Sequence, residues 1–197
     1  HQVYKLSESH ILKTTPCQHN DLFCKYPKTC VGLKFEEPGV GAFAAITSDT
    51  GYWVGLSENF NDLQDKMMVL HIGSIKRDEV STRTRVTKPI YEHHLGLRGV
   101  FNLIFEIKPS LVLISEFGEE FLRIRQKITE ILDKNFSGTR VLPADIGLTI
   151  DFSEGSNSPK IICTCCKTPV SPLDISLKTD GKAIQYICPK CKVNNPE

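Results

Sequence analysis

The sequence contains no apolar run of about 18 residues or more, which excludes a membrane-spanning helix. It contains no internal repeat. Its first residues show no basic region followed by an apolar core, so no secretory signal is expected. The net charge is only +1, which argues against strong indiscriminate binding to nucleic acid. What remains is an ordinary globular composition that allows one or two domains.

Positive charge is concentrated in two parts of the chain. Five basic residues lie between Lys76 and Lys88 against two acidic ones, and residues 160–197 hold six lysines against three acidic residues. A solvated face is one interpretation of both stretches. Arg83, Arg85 and Lys88 are in addition candidates to steer a polyanion. Nucleic acid is therefore a candidate partner, and a membrane is not.

Four cysteines near the C-terminus carry the sharpest signal. Cys163 and Cys166 form one C-x-x-C pair, and after 21 residues Cys188 and Cys191 form a second. Two such pairs at this separation have the ligand spacing of a structural zinc ribbon, in which four thiolates enclose one Zn²⁺ and leave no open position for catalysis. The alternatives are disulfides or ordinary buried thiols, and Cys165 could replace Cys163 as a ligand.

The distribution of the cysteines also bears on the compartment. Five of the eight lie in the proposed ribbon, and the others are Cys17, Cys24 and Cys30. A reducing, cytoplasmic setting fits this distribution better than a secreted one.

The polar, turn-rich segment 153–159 predicts a linker between an α/β domain at 1–152 and a zinc ribbon at 160–197 that contains a hairpin. Before the linker, short apolar runs alternate with helical patterns, which indicates a layered α/β fold. The predicted strands are 10–15, 31–36, 42–48, 67–72, 110–115, 140–143 and 146–151, and the predicted helices are about 59–65, 94–107 and 119–134.

Four short signatures in the α/β part place polar side chains at the ends of these elements. His19 follows a strand, and Asp49 lies in a strand-ending Ser-Asp-Thr-Gly. His94 opens a helix, where an anion such as phosphate is favoured, and Glu116 ends a buried strand. Each signature alone is weak, because a single strand-end aspartate more often caps a turn. Together, in this order, they form a pattern.

That pattern resembles the C-terminal half of the metallo-β-lactamase fold over about residues 8–151, most closely the phosphodiesterase branch that contains ribonuclease Z. The resemblance implies an α/β fold, the second half of a four-layer αββα sandwich, with a two-metal hydrolase site. It implies that His19 and Asp49 bind metal, with Asp49 as the bridging carboxylate, and that His94 contacts phosphate and assists proton transfer. Glu116 occupies the third ligand position, where the family usually has histidine. A carboxylate is a legitimate ligand for Zn²⁺ and a better one for Mn²⁺ or Mg²⁺, so the difference indicates either a changed metal preference or the loss of one metal.

One departure from the family concerns the signature H-x-H-x-D-H, which is absent from the 197 residues; only 18 residues precede His19. The chain is therefore interpreted as a second half, whose exposed sheet face a missing first half or an oligomeric partner would cover.

The function implied is part of a metal-dependent hydrolase of phosphodiesters, either nucleic acid or a cyclic or lipid phosphodiester. It would hold one structural Zn²⁺ and one or two divalent ions, Zn²⁺ or Mn²⁺, in the hydrolase site. Esters, lactones and thioesters stay open as substrates. The alternative is a catalytically inactive binding or scaffold protein that uses the ribbon to contact nucleic acid or protein.

Overall fold

Two compact units make up the chain, His1–Leu142 and Pro143–Glu197. The computed structural model describes residues 2–17, 30–73, 94–118, 124–153, 159–179 and 183–194. The division precedes the predicted linker at 153–159, because residues 150–151 pair with the strand at 160–162 and so belong to the second unit. Within the described ranges, no helix is long and apolar enough to cross a membrane.

A seven-stranded mixed sheet is the framework of the first unit. Its strands, in both chain order and spatial order, are β1 (Val3–Lys5), β2 (Ile11–Pro16), β3 (Val31–Glu37), β4 (Gly41–Ile46), β5 (Met67–Gly73), β6 (Leu111–Phe117) and β7 (Arg140–Pro143). Strands β1 to β4 are antiparallel neighbours, whereas β4, β5 and β6 run parallel. The parallel neighbours need crossover connections, which contain a 3-10 helix (Leu56–Leu63) and helix α1 (Gly96–Ile107). The carboxyl ends of β4, β5 and β6 therefore meet at one edge of the sheet.

Helix α1 supplies much of the core of this unit. Its apolar residues recur at three- and four-residue spacing, so that one face is buried against the sheet. The buried residues of that face are Val100, Leu103, Ile104 and Ile107. They belong to one cluster with Met68, Leu70, Ile72, Val112 and Ile114 of β5 and β6. The predicted helix at 94–107 is present, and it begins two residues later than expected.

Helix α2 spans Arg125–Asn135. The sequence predicts a helix at 119–134, and residues 119–123 of that prediction lie outside the described ranges. The apolar residues Ile124 and Ile131 recur at helical spacing with Ile128 and Leu132, which predicts a shared core face, but their side chains are 48% and 53% exposed. Ile128 and Leu132, one turn apart, are buried instead, so the core stripe is narrower than the apolar pattern suggests.

The second unit combines two small antiparallel sheets with a short helix. The first sheet has the order β10 (Pro169–Val170), β9 (Lys160–Ile162) and β8 (Ile150–Asp151), and the second pairs β11 (Ser176–Thr179) with β12 (Ile184–Ile187), before helix α3 (Pro189–Asn194). The strand predicted at 146–151 is reduced to its last two residues. Leu148 N–H donates to Asp145 O at 3.0 Å, which closes a turn around Gly147 at φ +89°.

Tyr186 anchors this unit. Its side chain is fully buried, its hydroxyl donates to Pro143 O at 2.5 Å, and it accepts from Asp145 N–H at 3.0 Å. A third bond runs from Ile184 N–H to Asp145 Oδ2 at 2.8 Å. These bonds join the segment after Leu142 to the β11–β12 hairpin, which is why the segment belongs to the second unit.

Candidate metal centres

The parallel strands bring three of the predicted site residues together at the carboxyl edge of the sheet. Asp49 lies three residues after β4, Glu116 is the penultimate residue of β6, and His94 lies two residues before α1. One ligand atom of each lies within 4.8 Å of the others, and we call these three residues the edge cluster. In open α/β sheets, ligands characteristically bind outside the carboxyl ends of the strands.

His94 and Asp49 form the polar pair of the edge cluster. His94 Nδ1 is hydrogen-bonded to Asp49 Oδ1. Their side chains are 34% and 33% exposed, so a solvent-borne ligand can reach them. With Nδ1 as the donor, Nε2 of a neutral ring carries the lone pair that a cation requires, and Nε2 of a protonated ring carries an N–H for an anion. The pair therefore supports either metal ligation or proton donation.

Gly73, the last residue of β5, makes room for the ring of His94. Its φ is +66°, and a Cβ at this position would lie 2.3 Å from His94 Cγ. Non-bonded carbon atoms pack at about 3.5–4.0 Å, so any side chain here would displace the imidazole. Gly73 O also accepts from Gly118 N–H at 2.8 Å, which ties the end of β5 to the residue that follows β6.

The backbone is strained at two positions of this edge. Ser48, just before Asp49, has φ +60°, and Glu116 has φ +50°. A left-handed conformation costs a non-glycine residue about 1–2 kcal/mol. Such strain clusters at functional sites, where it holds side chains in a required direction. The loop that follows β4 and carries Ser48 and Asp49 is anchored at Thr47, whose N–H donates to Val69 O at 3.0 Å.

Sequence reasoning did not select His71, a residue of β5 that contacts Glu116. His71 Nδ1 lies 3.0 Å from Glu116 Oε2, which is close enough for an ion pair. The same atom is buried and makes no hydrogen bond of good geometry within the described ranges. A histidine near the carboxyl end of the otherwise apolar run Met-Met-Val-Leu-His-Ile-Gly was the signal that could have identified it. His71 is placed to orient the Glu116 carboxylate.

The remaining predicted residues of the hydrolase site lie outside the described residues. They are His19, Arg83, Arg85 and Lys88. Their roles as ligand and as polyanion contacts stay predictions.

The second unit holds a separate cluster formed by Cys163, Cys166, Cys188 and Cys191, which we call the ribbon cysteines. Their Sγ atoms all lie within 4.8 Å of one another, and Cys166 Sγ is 3.7 Å from Cys188 Sγ. Four sulfurs at about 2.3 Å from a tetrahedral Zn²⁺ are about 3.8 Å apart, so the spacing fits such an ion. Cys165 is exposed and is not part of the cluster.

Local hydrogen bonds favour the thiolate form at two ribbon cysteines. The side chain and then the N–H of Thr168 lower the pKa of Cys166 to about 6. Burial opposes ionisation of Cys163, but N–H groups, first that of Cys166 and then that of Cys188, outweigh it and lower the pKa. The neighbouring Cys166 thiol raises the pKa of Cys191. Because a metal binds the thiolate, binding would release the Cys191 proton.

The comparison with solved structures shows that this chain has the metallo-β-lactamase fold, as its sequence predicts. It is similar to Igni18, a metallo hydrolase from the hyperthermophilic archaeon Ignicoccus hospitalis. The TM-score is 0.50 at 14% identity, over 73% of this chain and 55% of that chain.

Two further solved structures are similar to the chain at TM-scores below that value. For the metallo-β-lactamase fold protein YhfI from Bacillus subtilis the TM-score is 0.49 at 12% identity, over 73% of this chain and 50% of that chain. For the short form of human tRNase Z it is 0.43 at 12% identity, over 72% of this chain and 43% of that chain. The chain thus spans about half the length of the structures it matches. No protein-family model and no curated protein matches it.

Proposed function

We propose that this chain forms part of a metal-dependent hydrolase and supplies one side of its metal site. The observation that supports the proposal is the edge cluster, in which two carboxylates and one imidazole from three distant parts of the chain converge within 4.8 Å. Carboxylate oxygens, such as those of Asp49 and Glu116, together with an imidazole nitrogen, such as that of His19, suit Mn²⁺ and Zn²⁺. A bound ion would polarise a substrate oxygen and lower the pKa of a bound water.

Within this site, Asp49 and Glu116 are the proposed cation ligands from the described residues, joined by His19. His94 is the proposed proton donor, because its hydrogen bond to Asp49 holds the ring in place. Gly73 and His71 act as positioning residues for His94 and Glu116.

The proposed substrate class is a phosphodiester. A histidine beside two cation ligands supplies a donor for a leaving oxygen, and the basic residues Arg83, Arg85 and Lys88, which precede His94 in the sequence, would attract a polyanion such as a nucleic acid. A segment that carries H-x-H-x-D-H, on this polypeptide or on another, is proposed to complete the two-metal site. With the 197 residues alone we expect metal binding but negligible turnover.

Metal binding is tested first, in the 197-residue chain with its ribbon cysteines loaded with zinc. Mn²⁺ is the probe, and its electron paramagnetic resonance signal gives the free concentration during a titration. Asp49→Ala and Glu116→Ala should each weaken binding at least about tenfold. The matched control is Asp62→Ala, which removes a carboxylate of the same unit that pairs with Lys34 at 2.8 Å instead. Equal affinity in all four proteins would remove the edge cluster as a metal site.

Turnover is tested in a protein that also carries the H-x-H-x-D-H segment. Hydrolysis of bis-p-nitrophenyl phosphate is compared with that of p-nitrophenyl acetate, which separates a phosphodiesterase from an esterase. His94→Ala should leave Mn²⁺ bound and lower the turnover number by about 10²–10⁴-fold. Loss of Mn²⁺ in this variant would instead identify His94 as a ligand. If neither His94→Ala nor Asp49→Ala changes turnover, a binding or scaffold role is favoured.

A further inference from the structure

Two cysteines, Cys17 and Cys30, contact the loop that carries Asp49 and have no role in the proposed function. The β2–β3 ladder pairs Thr15 with Gly32 and Pro16 with Val31. One further step in the same antiparallel register places Cys17 directly opposite Cys30. Residues directly opposite in such a ladder have Cα atoms about 4.5–5.5 Å apart, which lies within the range that a disulfide spans.

The side chains of this pair also meet. Directly opposite residues of a ladder place their side chains on the same face of the sheet, so the two thiols lie beside each other. Both residues are only partly buried, so a small oxidant can reach them. No disulfide links them, and we call the pair the dithiol.

Both thiols donate hydrogen bonds to the loop that presents Asp49. Cys17 Sγ donates to Thr47 O at 3.3 Å, and Cys30 Sγ donates to Asp49 O at 2.8 Å. Cys30 Sγ also lies 3.4 Å from the hydroxyl of Ser48, the residue with the left-handed backbone. The two donated bonds hold the loop from both sides of this strained residue.

We propose that a peroxide converts the dithiol to a Cys17–Cys30 disulfide, which a dithiol reductant returns to two thiols as it is itself oxidised to a disulfide, and that disulfide formation weakens cation binding at Asp49. One thiol reduces the peroxide to water and becomes a sulfenic acid, and the other then displaces water from it to form the S–S bond. Two thiols and one hydrogen peroxide thus give one disulfide and two waters. Both S–H hydrogens leave, so Thr47 O and Asp49 O lose their donors. The effect on cation binding rests on the proposed function, whereas the disulfide does not.

Disulfide formation is tested by peptide mapping. The 197-residue chain, with zinc on its ribbon cysteines, is treated with hydrogen peroxide and digested without reduction. We expect a linked peptide that joins Cys17 to Cys30, that disappears with a phosphine reductant, and that forms equally in a Cys24→Ser/Cys165→Ser variant. Cys17 that stays unlinked, or that pairs with another cysteine, overturns the proposal.

The coupling is tested by Mn²⁺ titration of the reduced and the oxidised chain. Oxidation should weaken binding about tenfold, which is the usual effect of removing partners that orient a ligand. The control is Cys17→Ser/Cys30→Ser, whose hydroxyls keep a donor at both positions, so it should bind as the reduced chain does and not respond to peroxide. A disulfide with unchanged Mn²⁺ affinity overturns the coupling. If the reduced chain binds no Mn²⁺, the proposed function and the coupling both fail, and the peptide map still decides the disulfide.

Discussion

The contact between Gly73 and His94 allows the edge cluster to be tested with a substitution that removes no polar group. In Gly73→Ala, the new Cβ would start 2.3 Å from His94 Cγ, whereas carbon atoms pack at about 3.5 Å or more. The ring must therefore move by about 1 Å toward the carboxylate to which it is hydrogen-bonded. We expect Mn²⁺ affinity to fall at least about tenfold, because ligand placement in metal sites tolerates little displacement.

The loss of stability caused by backbone strain in Gly73→Ala is measured separately with a second glycine substitution. Alanine at φ +66° costs about 1–2 kcal/mol of folding free energy whatever surrounds it. Gly39 has φ +84° and nothing within 4 Å of an added Cβ, so Gly39→Ala should lose similar stability in urea unfolding and keep its Mn²⁺ affinity.

A second-site change tests the proposed cause directly. An added Cβ at Gly73 would meet both Cγ and Cβ of His94, so His94→Gly is the change that removes the collision, and the double variant Gly73→Ala/His94→Gly should regain most of the Mn²⁺ affinity. If Gly73→Ala binds Mn²⁺ as Gly39→Ala does, the steric reasoning is refuted. A double variant as weak as Gly73→Ala alone would show that the loss has another origin.

Three further outcomes follow from the two units. Metal analysis should find about one tightly held zinc per chain at the ribbon cysteines. Chelation should unfold the second unit, since zinc bonds supply folding energy. Amide protection in this unit that persists after complete chelation would contradict the prediction. Tyr186→Phe should lower the free energy of unfolding of that unit by about 1–3 kcal/mol in urea denaturation, because it removes the hydrogen bonds of the buried hydroxyl with Pro143 O and Asp145 N–H. Tyr4→Phe at the exposed β1 should have little effect in the same measurement. Glu116→His should keep cation binding and shift preference from Mn²⁺ toward Zn²⁺ in a competition titration, and an unchanged preference would count against Glu116 as a ligand.

The ribbon cysteines could be selected from the sequence because their signal is local. In a C-x-x-C pair the spacing alone brings two thiols to one turn, and two pairs at this separation complete a tetrahedral set. The strands of the first unit were also local signals: β2 to β7 lie within two residues of their predicted bounds, because apolar runs between turn residues mark them. Strands β1, β9 and β10 were missed, since each has only two or three residues.

For the edge cluster, the sequence identified Asp49, His94 and Glu116 one at a time, as residues at the ends of elements. That they meet was implied by a resemblance to a known fold and could not be derived from the residues, because it depends on which strands are parallel neighbours. Gly73 under the ring of His94 and His71 beside Glu116 were not foreseen for the same reason. Both contacts arise from the register between β5 and elements far away in the chain.

The sequence by itself thus determined what short-range geometry controls: the spacing of the ribbon cysteines, most strand positions and the chemical character of the strand ends. The tertiary structure decided what depends on long-range pairing: the boundary at Leu142, the partners of each site residue, and the contacts of Cys17 and Cys30, just past the paired ends of β2 and β3, with Thr47 and Asp49. Spacing along the chain constrains neighbours within a turn or two, whereas residues tens of positions apart meet only through the burial and hydrogen bonding of the whole sheet.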